Sequence, residues 1–157
     1  MSGTIFKACR ILAFGCIFQF GNHAVLGVNM KKIDEYYIGA GFAFLLFGML
    51  FGMWLGASEN LQFGNSHAHA NLVGFVLSVL FGLIYRFFPA MKQSRLAKPQ
   101  FWIYEIGAVL FVAGKIVVDA TGNSDLVKFG SIVVFVGTLL MAIVFFKDRE
   151  PKASKTI

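Results

Sequence analysis

Apolar and polar positions alternate along the chain in long blocks rather than residue by residue. Residues 36–56 contain no Asp, Glu, Lys or Arg, and residues 67–85 contain none either. Residues 101–118 hold only Glu105 and Lys115, and residues 126–146 only Lys128. Each block is close to the ~20 residues that a helix needs to cross ~30 Å of hydrocarbon. The pattern predicts an all-α integral membrane four-helix bundle over residues 31–146, with spans at about 36–56, 67–88, 101–118 and 126–146. Residues 1–30 form an extension of uncertain structure, and residues 147–157 a tail.

Composition supports the same class. Only 14% of the 157 residues are charged, and the mean hydropathy is +0.72, a balance foreign to a water-soluble domain. The +6 net charge is confined to loops and tails, so it reads as an orientation signal and not as a nucleic-acid-binding stripe. Arg86, Lys92, Arg95 and Lys98 follow the second block. Lys147, Arg149, Lys152 and Lys155 follow the fourth, and Lys31 and Lys32 precede the first. The segment 57–66 has Glu59 and no Lys or Arg, and the segment 119–125 is acidic. By the positive-inside rule both ends of the four-span core lie in the cytoplasm, and the start of the second span faces outward. The expected location is a bacterial inner membrane. Trp54, Tyr85 and Trp102, near span ends, read as interfacial anchors.

Residues 11–28 are uncharged but interrupted by Gln19, Asn22 and His23. They suit a signal-like stretch, a fifth span or an interfacial helix. No convincing small-residue cleavage site follows, and Met30 before Lys31 and Lys32 suits an alternative start. Residues 1–29 are expected to be peripheral to function, and His23 incidental. Cys9 and Cys16 are seven apart, which matches no haem-attachment motif. Gly48, Gly52 and Gly56 recur every four residues, making a smooth strip that suits close helix packing or a flat porphyrin. Gly74, Gly82, Gly107, Gly114, Gly130 and Gly137 continue the theme in the other spans.

The candidate chemistry is His67-Ala68-His69 at the mouth of the second span. Histidine at membrane depth points to function by default, and neutral imidazole is the form that ligates metals. Ser66 reads as the N-cap, with both His in the first turn. Residues two apart on an α-helix are about 200° apart, so the two rings should face different neighbours instead of sharing one metal. The pair suggests one ligand plus one hydrogen-bonding residue, two sites, or capping in interfacial water. Asn71 is placed to orient a partner. Lys115 and Asp119 stand four apart and suit a local ion pair, or a contact from Lys115 to a haem propionate. Glu105 reads as wetted, near the cytoplasmic end of its span.

The run His67-Ala-His69-Ala-Asn-Leu-Val-Gly74, followed by Phe81-Gly-Leu-Ile-Tyr-Arg-Phe-Phe-Pro89, resembles the second helix of haem-copper oxidase subunit I, nearest its nitric-oxide-reductase branch. It is more similar still to small four-span bacterial proteins of subunit-I type. The likeness covers about residues 36–146 and implies one four-helix arc of that subunit. It implies that His69 is an axial ligand to a b-type haem near the outer face, with His67 as a second candidate ligand. The subunit has twelve spans, a copper-binding histidine pair and a crosslinked tyrosine, none of which has a counterpart here, so oxygen or nitric oxide reduction does not carry over. The resemblance further implies a homo-oligomer, possible as a trimer that rebuilds the three arcs, with His69 of one protomer and His67 of its neighbour at a shared site. The expected function is electron transfer, haem-based gas sensing, or support of a respiratory or nitric-oxide system with a redox partner. The alternatives are a copper- or zinc-binding membrane assembly factor and a structural subunit without chemistry.

Overall fold

The computed structural model describes residues 29–150, which fold into four long helices with no strand among them. The expectations for Cys9, Cys16, His23, Lys152, Lys155 and the extension before Asn29 lie outside the described residues. Helix α1 spans Ile33–Ser58 and α2 Leu61–Phe87; α3 spans Ala97–Thr121 and α4 Asp125–Asp148. All four are long and apolar enough to cross a bilayer, so the chain is a multi-pass membrane protein. The helices outrun the charge-free blocks at both ends, because polar residues such as Asp34 and Asp148 continue the helix past the hydrocarbon. Segment 57–66, read as a loop, is helical from Leu61 onward.

Local signals set the helix ends. The Asn29 side chain accepts from the Lys31 N–H (3.1 Å) in the turn that leads into α1. Asp34 and Glu35 then occupy the first turn, where the helix dipole favours acids. Helix α3 stops at Gly122, whose φ of 77° is open to glycine at little cost and whose N–H returns to Val118 O at 2.8 Å. The turn from Gly122 to α4 is short, so α3 and α4 form an antiparallel hairpin.

Glycines fix the helix spacing. A Cβ built on Gly130 would lie 2.6 Å from Phe111 N, and one on Gly137 would lie 2.7 Å from Tyr104 Cα. Backbone thus meets backbone along α3 and α4, the close approach that drives association in lipid. On α1 the anticipated strip packs against α2: Gly48 receives the Asn71 side chain and Gly52 the His67 ring, while Gly56 faces open space.

Polar groups join the helices at the end bearing the α2–α3 connection. Gln100 Oε1 accepts from the Tyr37 hydroxyl (2.9 Å) and the Tyr85 hydroxyl (3.1 Å), and its Nε2 donates to Gly137 O (3.2 Å). Gln100, Tyr37 and Tyr85 are fully buried. Tyr85 is therefore a core residue and not the interfacial anchor its position suggested, whereas Trp54 keeps that exposure. One turn further out, Lys92 pairs with the buried Asp34 at 2.6 Å.

Replacing Gln100 with Leu removes both lone-pair sites and the amide donor at once. Each buried partner left unsatisfied costs about 1–3 kcal/mol. Gln100→Leu should therefore lower the thermal midpoint of the detergent-solubilised protein sharply, while Gly56→Ala leaves it unchanged; circular dichroism melts of both variants read the difference.

Candidate functional site at the start of α2

Helix α2 is not uniform. A short 3-10 turn, Leu61–Phe63, leads into an α-helical stretch, Gly64–His69. A π-helical stretch follows over Ala70–Val76, and α-helix resumes at Leu77–Phe87. Such wide turns are rare and concentrate at functional sites. They also disturb the ladder of backbone hydrogen bonds, which lipid cannot repair. Here side chains help. Asn71 Nδ2 donates to His67 O at 3.0 Å, and the Tyr104 hydroxyl donates to Val73 O at 2.7 Å.

The start of α2 is held from α3. Ser66 is not the N-cap: the helix begins before it, and its hydroxyl and backbone N–H both donate to Asp119 Oδ2, the N–H at 3.2 Å. Asp119 Oδ1 pairs with Lys115 at 3.5 Å. The Lys115–Asp119 contact thus exists as the local ion pair, and the carboxylate does double duty by tying an α2 amide to α3. Both side chains are largely buried, so a haem propionate at Lys115 would have to share the ammonium with Asp119.

His67 and His69 lie in the second helical turn or beyond, not the first. Their rings face different helices, as the spacing required. His67 fits over Gly52 beside the Phe51 ring on α1, with Asn71 Nδ2 at 3.4 Å from its Nε2. Its Nδ1 is buried and has no hydrogen-bond partner among the described residues. His69 faces α3, 5.4 Å from the Phe111 ring centroid. Its Nδ1 lies 2.8 Å from Asn65 O. A carbonyl can only accept, so Nδ1 carries the hydrogen, and the Nε2 lone pair is left for a ligand. That arrangement, one ring nitrogen donating to a backbone carbonyl, is the usual support for a metal-ligating histidine.

A neutral His69 so held would offer one nitrogen, Nε2, to a haem iron. Among the described residues no three His, Cys, Asp or Glu side chains cluster, so those residues alone do not close a metal site. For His67 to serve as the second ligand, its ring would have to leave the Gly52 groove. No family model, no curated protein and no solved structure matches the chain.

Glu105 departs from expectation. It is 8% exposed, and its carboxyl lies within hydrogen-bonding reach of the buried Ser78 hydroxyl on α2. Eight residues separate it from the start of α3, roughly 12 Å at 1.5 Å per residue, which puts it well inside the span and not in interfacial water. Sequence reading also missed Asn71 and Tyr104 as supports of the π-helical stretch; Asn71 at four residues from His67 was the available signal.

Asp119→Ala removes the acceptor that holds the start of α2 and leaves the largely buried Lys115 without its carboxylate. Hydrogen bonds to charged groups are worth about 1.5–3 kcal/mol each. Asp119→Ala should therefore destabilise the protein clearly more than Ser66→Ala, in melts of the two variants. Amide hydrogen exchange should accelerate in residues 61–69 of both.

Proposed function

We propose that the chain is a membrane b-type haem-binding protein, with His69 Nε2 as an axial ligand. It would serve electron transfer or gas sensing, or support a respiratory or nitric-oxide system. The observation that carries this reading is the 2.8 Å contact from His69 Nδ1 to Asn65 O, which fixes the tautomer and directs the free lone pair away from the helix backbone. The resemblance of residues 67–89 to the second helix of haem-copper oxidase subunit I supports it. When bound, haem would supply a one-electron redox centre, or an iron open to a diatomic gas at its other face.

This chain's own residues would do the remainder. Asn65 holds the His69 ring, and Phe111 limits its rotation. Asp119 pins the start of α2, so the depth and direction of His69 are set by α3. A second axial histidine, where present, would come from another copy of the chain in a homo-oligomer, with a trimer as the specific expectation. The charge bias of the loops favours a bacterial inner membrane, with both ends of residues 31–146 in the cytoplasm and His69 beneath the outer leaflet.

The test is a pair of visible spectra, oxidised and dithionite-reduced, of the full chain purified from cells supplied with porphyrin precursor. Soret and α bands are expected. His69→Ala should abolish them, and His67→Ala should retain most of the pigment. Pigment-free wild-type protein, or full retention in both variants, overturns the reading. Colourless protein that keeps copper or zinc by elemental analysis would instead move it to metal binding by imidazole. A monomeric mass for the pigmented protein in mild detergent would exclude a site shared between copies.

A further inference from the structure

Helices α1 and α3 run side by side in the same direction and part below their shared start. The Tyr36 and Phe101 rings meet there with 6.4 Å between centroids, and Trp102 lies against Phe101 at 5.4 Å. Beyond those rings an open trough continues between the two helices. Ala40, Ala43 and Phe47 form its α1 wall, and Val109, Val112 and Ile116 its α3 wall. Glu105 also borders it, but the carboxyl is turned to the Ser78 hydroxyl of α2, so the wall is apolar throughout. From Glu105 to Ile116 the trough runs roughly 16 Å at 1.5 Å per residue, about half of the ~30 Å of hydrocarbon in a bilayer. That is the depth of one leaflet, and so the reach of a single acyl chain.

Charge marks one end of this trough. Lys31 precedes α1, Arg95 precedes α3, and Lys98 stands in the first turn of α3. All three residues are exposed, and none makes an ion pair among the described residues. The first turn of α3 holds no acid, so the helix dipole adds positive potential at the same place. Lys98 and Trp102 share the side of α3 turned away from α4, whose contacts fall at Tyr104, Gly107 and Phe111. Lys98 thus stands roughly 10 Å above the start of the trough. At the other end of the spans the lysines are spent, Lys115 on Asp119 and Lys128 on Asp125.

Cations, then aromatic rings, then an apolar channel one leaflet deep follow the order of a phospholipid: phosphate, glycerol esters, acyl chain. Tyr and Trp favour the ester level of a bilayer. Basic pockets between spans recognise anionic headgroups, each Lys or Arg near the surface favouring them by about fivefold. A zwitterionic lipid carries its own cation beside the phosphate, which three unpaired cations disfavour. We propose that an anionic phospholipid occupies this seam, its phosphate at Lys31, Arg95 and Lys98 and one acyl chain along the trough. The site stands apart from the haem reading, since it needs neither His69 nor a metal.

Trp54 and Trp102 are the two tryptophans of the chain, one near the end of α1 and one near the start of α3. In full-length Trp54→Phe, Trp102 alone reports on the seam. This protein would be reconstituted in mixtures of phosphatidylcholine and phosphatidylglycerol, one or the other brominated in the upper part of an acyl chain. Fluorescence quenching then gives the relative affinity of the two lipids beside Trp102. Phosphatidylglycerol should be favoured about fivefold or more. In Trp102→Phe, where Trp54 reports on the opposite end, the ratio should be near unity. Arg95→Gln combined with Lys98→Gln should bring the Trp102 ratio to unity as well. Ala43→Phe, which fills the trough and leaves the cations, should lower it while the circular dichroism melt is retained. Lys147→Gln removes a cation at the same end but on α4, across α3 from the trough, and should leave the ratio unchanged. Equal quenching by the two lipids at Trp102 overturns the proposal, and so does an equal preference at Trp54. A ratio that falls as far in Lys147→Gln as in the double variant overturns it by making the attraction a diffuse surface charge. An unchanged ratio in Ala43→Phe or in the double variant does the same. Displacement by equimolar oleate, with unlabelled phosphatidylglycerol ineffective, would overturn it in favour of a fatty acid.

Discussion

One side-chain amide touches all four helices. Gln100, on α3, accepts from Tyr37 on α1 and Tyr85 on α2 and donates to the Gly137 carbonyl on α4. A primary amide offers two acceptor sites and two donors, and here both acceptor sites and one donor are taken. Lipid tails are as apolar as the helix faces, so the hydrophobic effect does not drive these helices together within the bilayer. Directional polar contacts and close backbone approach have to do so. The Gln100 cluster supplies the first and the Gly130 and Gly137 contacts supply the second, at positions where α3 can sit against α4 only because no side chain intervenes. The Phe81, Phe101 and Tyr104 rings pack around Tyr37, so the polar centre is sealed by aromatic edges rather than by water.

The same demand for satisfied polar groups shapes α2. Within the π-helical stretch the Val73 carbonyl accepts from Tyr104, and just before it the His67 carbonyl accepts from Asn71. Tyr104 therefore links the widened turn to α3, close to the Gln100 cluster. At the other end of the span Asp119 accepts from both the backbone N–H and the hydroxyl of Ser66 on α2. His69 lies between these two restraints. Its ring direction follows from the path that α3 imposes on α2, and in that sense the candidate ligand is positioned by residues on a different helix.

The spans were legible in the sequence because the exclusion of charge over residues 36–56 and 67–85 has no other cheap explanation. The opposite facing of His67 and His69 was legible too, from helical geometry alone. The Gln100 cluster was not. Reading the third span from residue 101 left Gln100 just outside it, where a glutamine looks like a loop residue, and a tyrosine near a span end looks the same whether it faces lipid headgroups or a buried amide. Lys92 illustrates the same ambiguity: it counts as a cytoplasmic charge in the loop pattern, yet in the fold it is spent on Asp34, a partner 58 positions earlier in the chain. The π-helical stretch left no periodic trace, since seven residues are too few to shift an apolar pattern that is apolar on every side. The misplacement of Ser66 has a physical cause as well: a serine before an apolar run suits an N-cap, but the helix starts at Leu61, and Ser66 instead donates to Asp119, which only folding brings near.

Polar contacts between helices gather toward the two ends of the spans, with only the Tyr104–Val73 bond and the Ser78 and Glu105 side chains described between them. At one end are Asp34–Lys92 and the Gln100 cluster; at the other are Ser66, Asp119 and Lys115. Between these ends α1 and α3 are held only indirectly, each through α2, and it is there that they part. A bundle joined across all four helices at one end, tied from α2 to α3 at the other, and glycine-packed within its α1–α2 and α3–α4 pairs has its least constrained seam between the pairs. Glu105 sits between those ends, its carboxyl beside the buried Ser78 hydroxyl of α2. Placed there, the carboxyl is answered from α2 by the Ser78 hydroxyl and not by the amide and ammonium groups nearer the two ends.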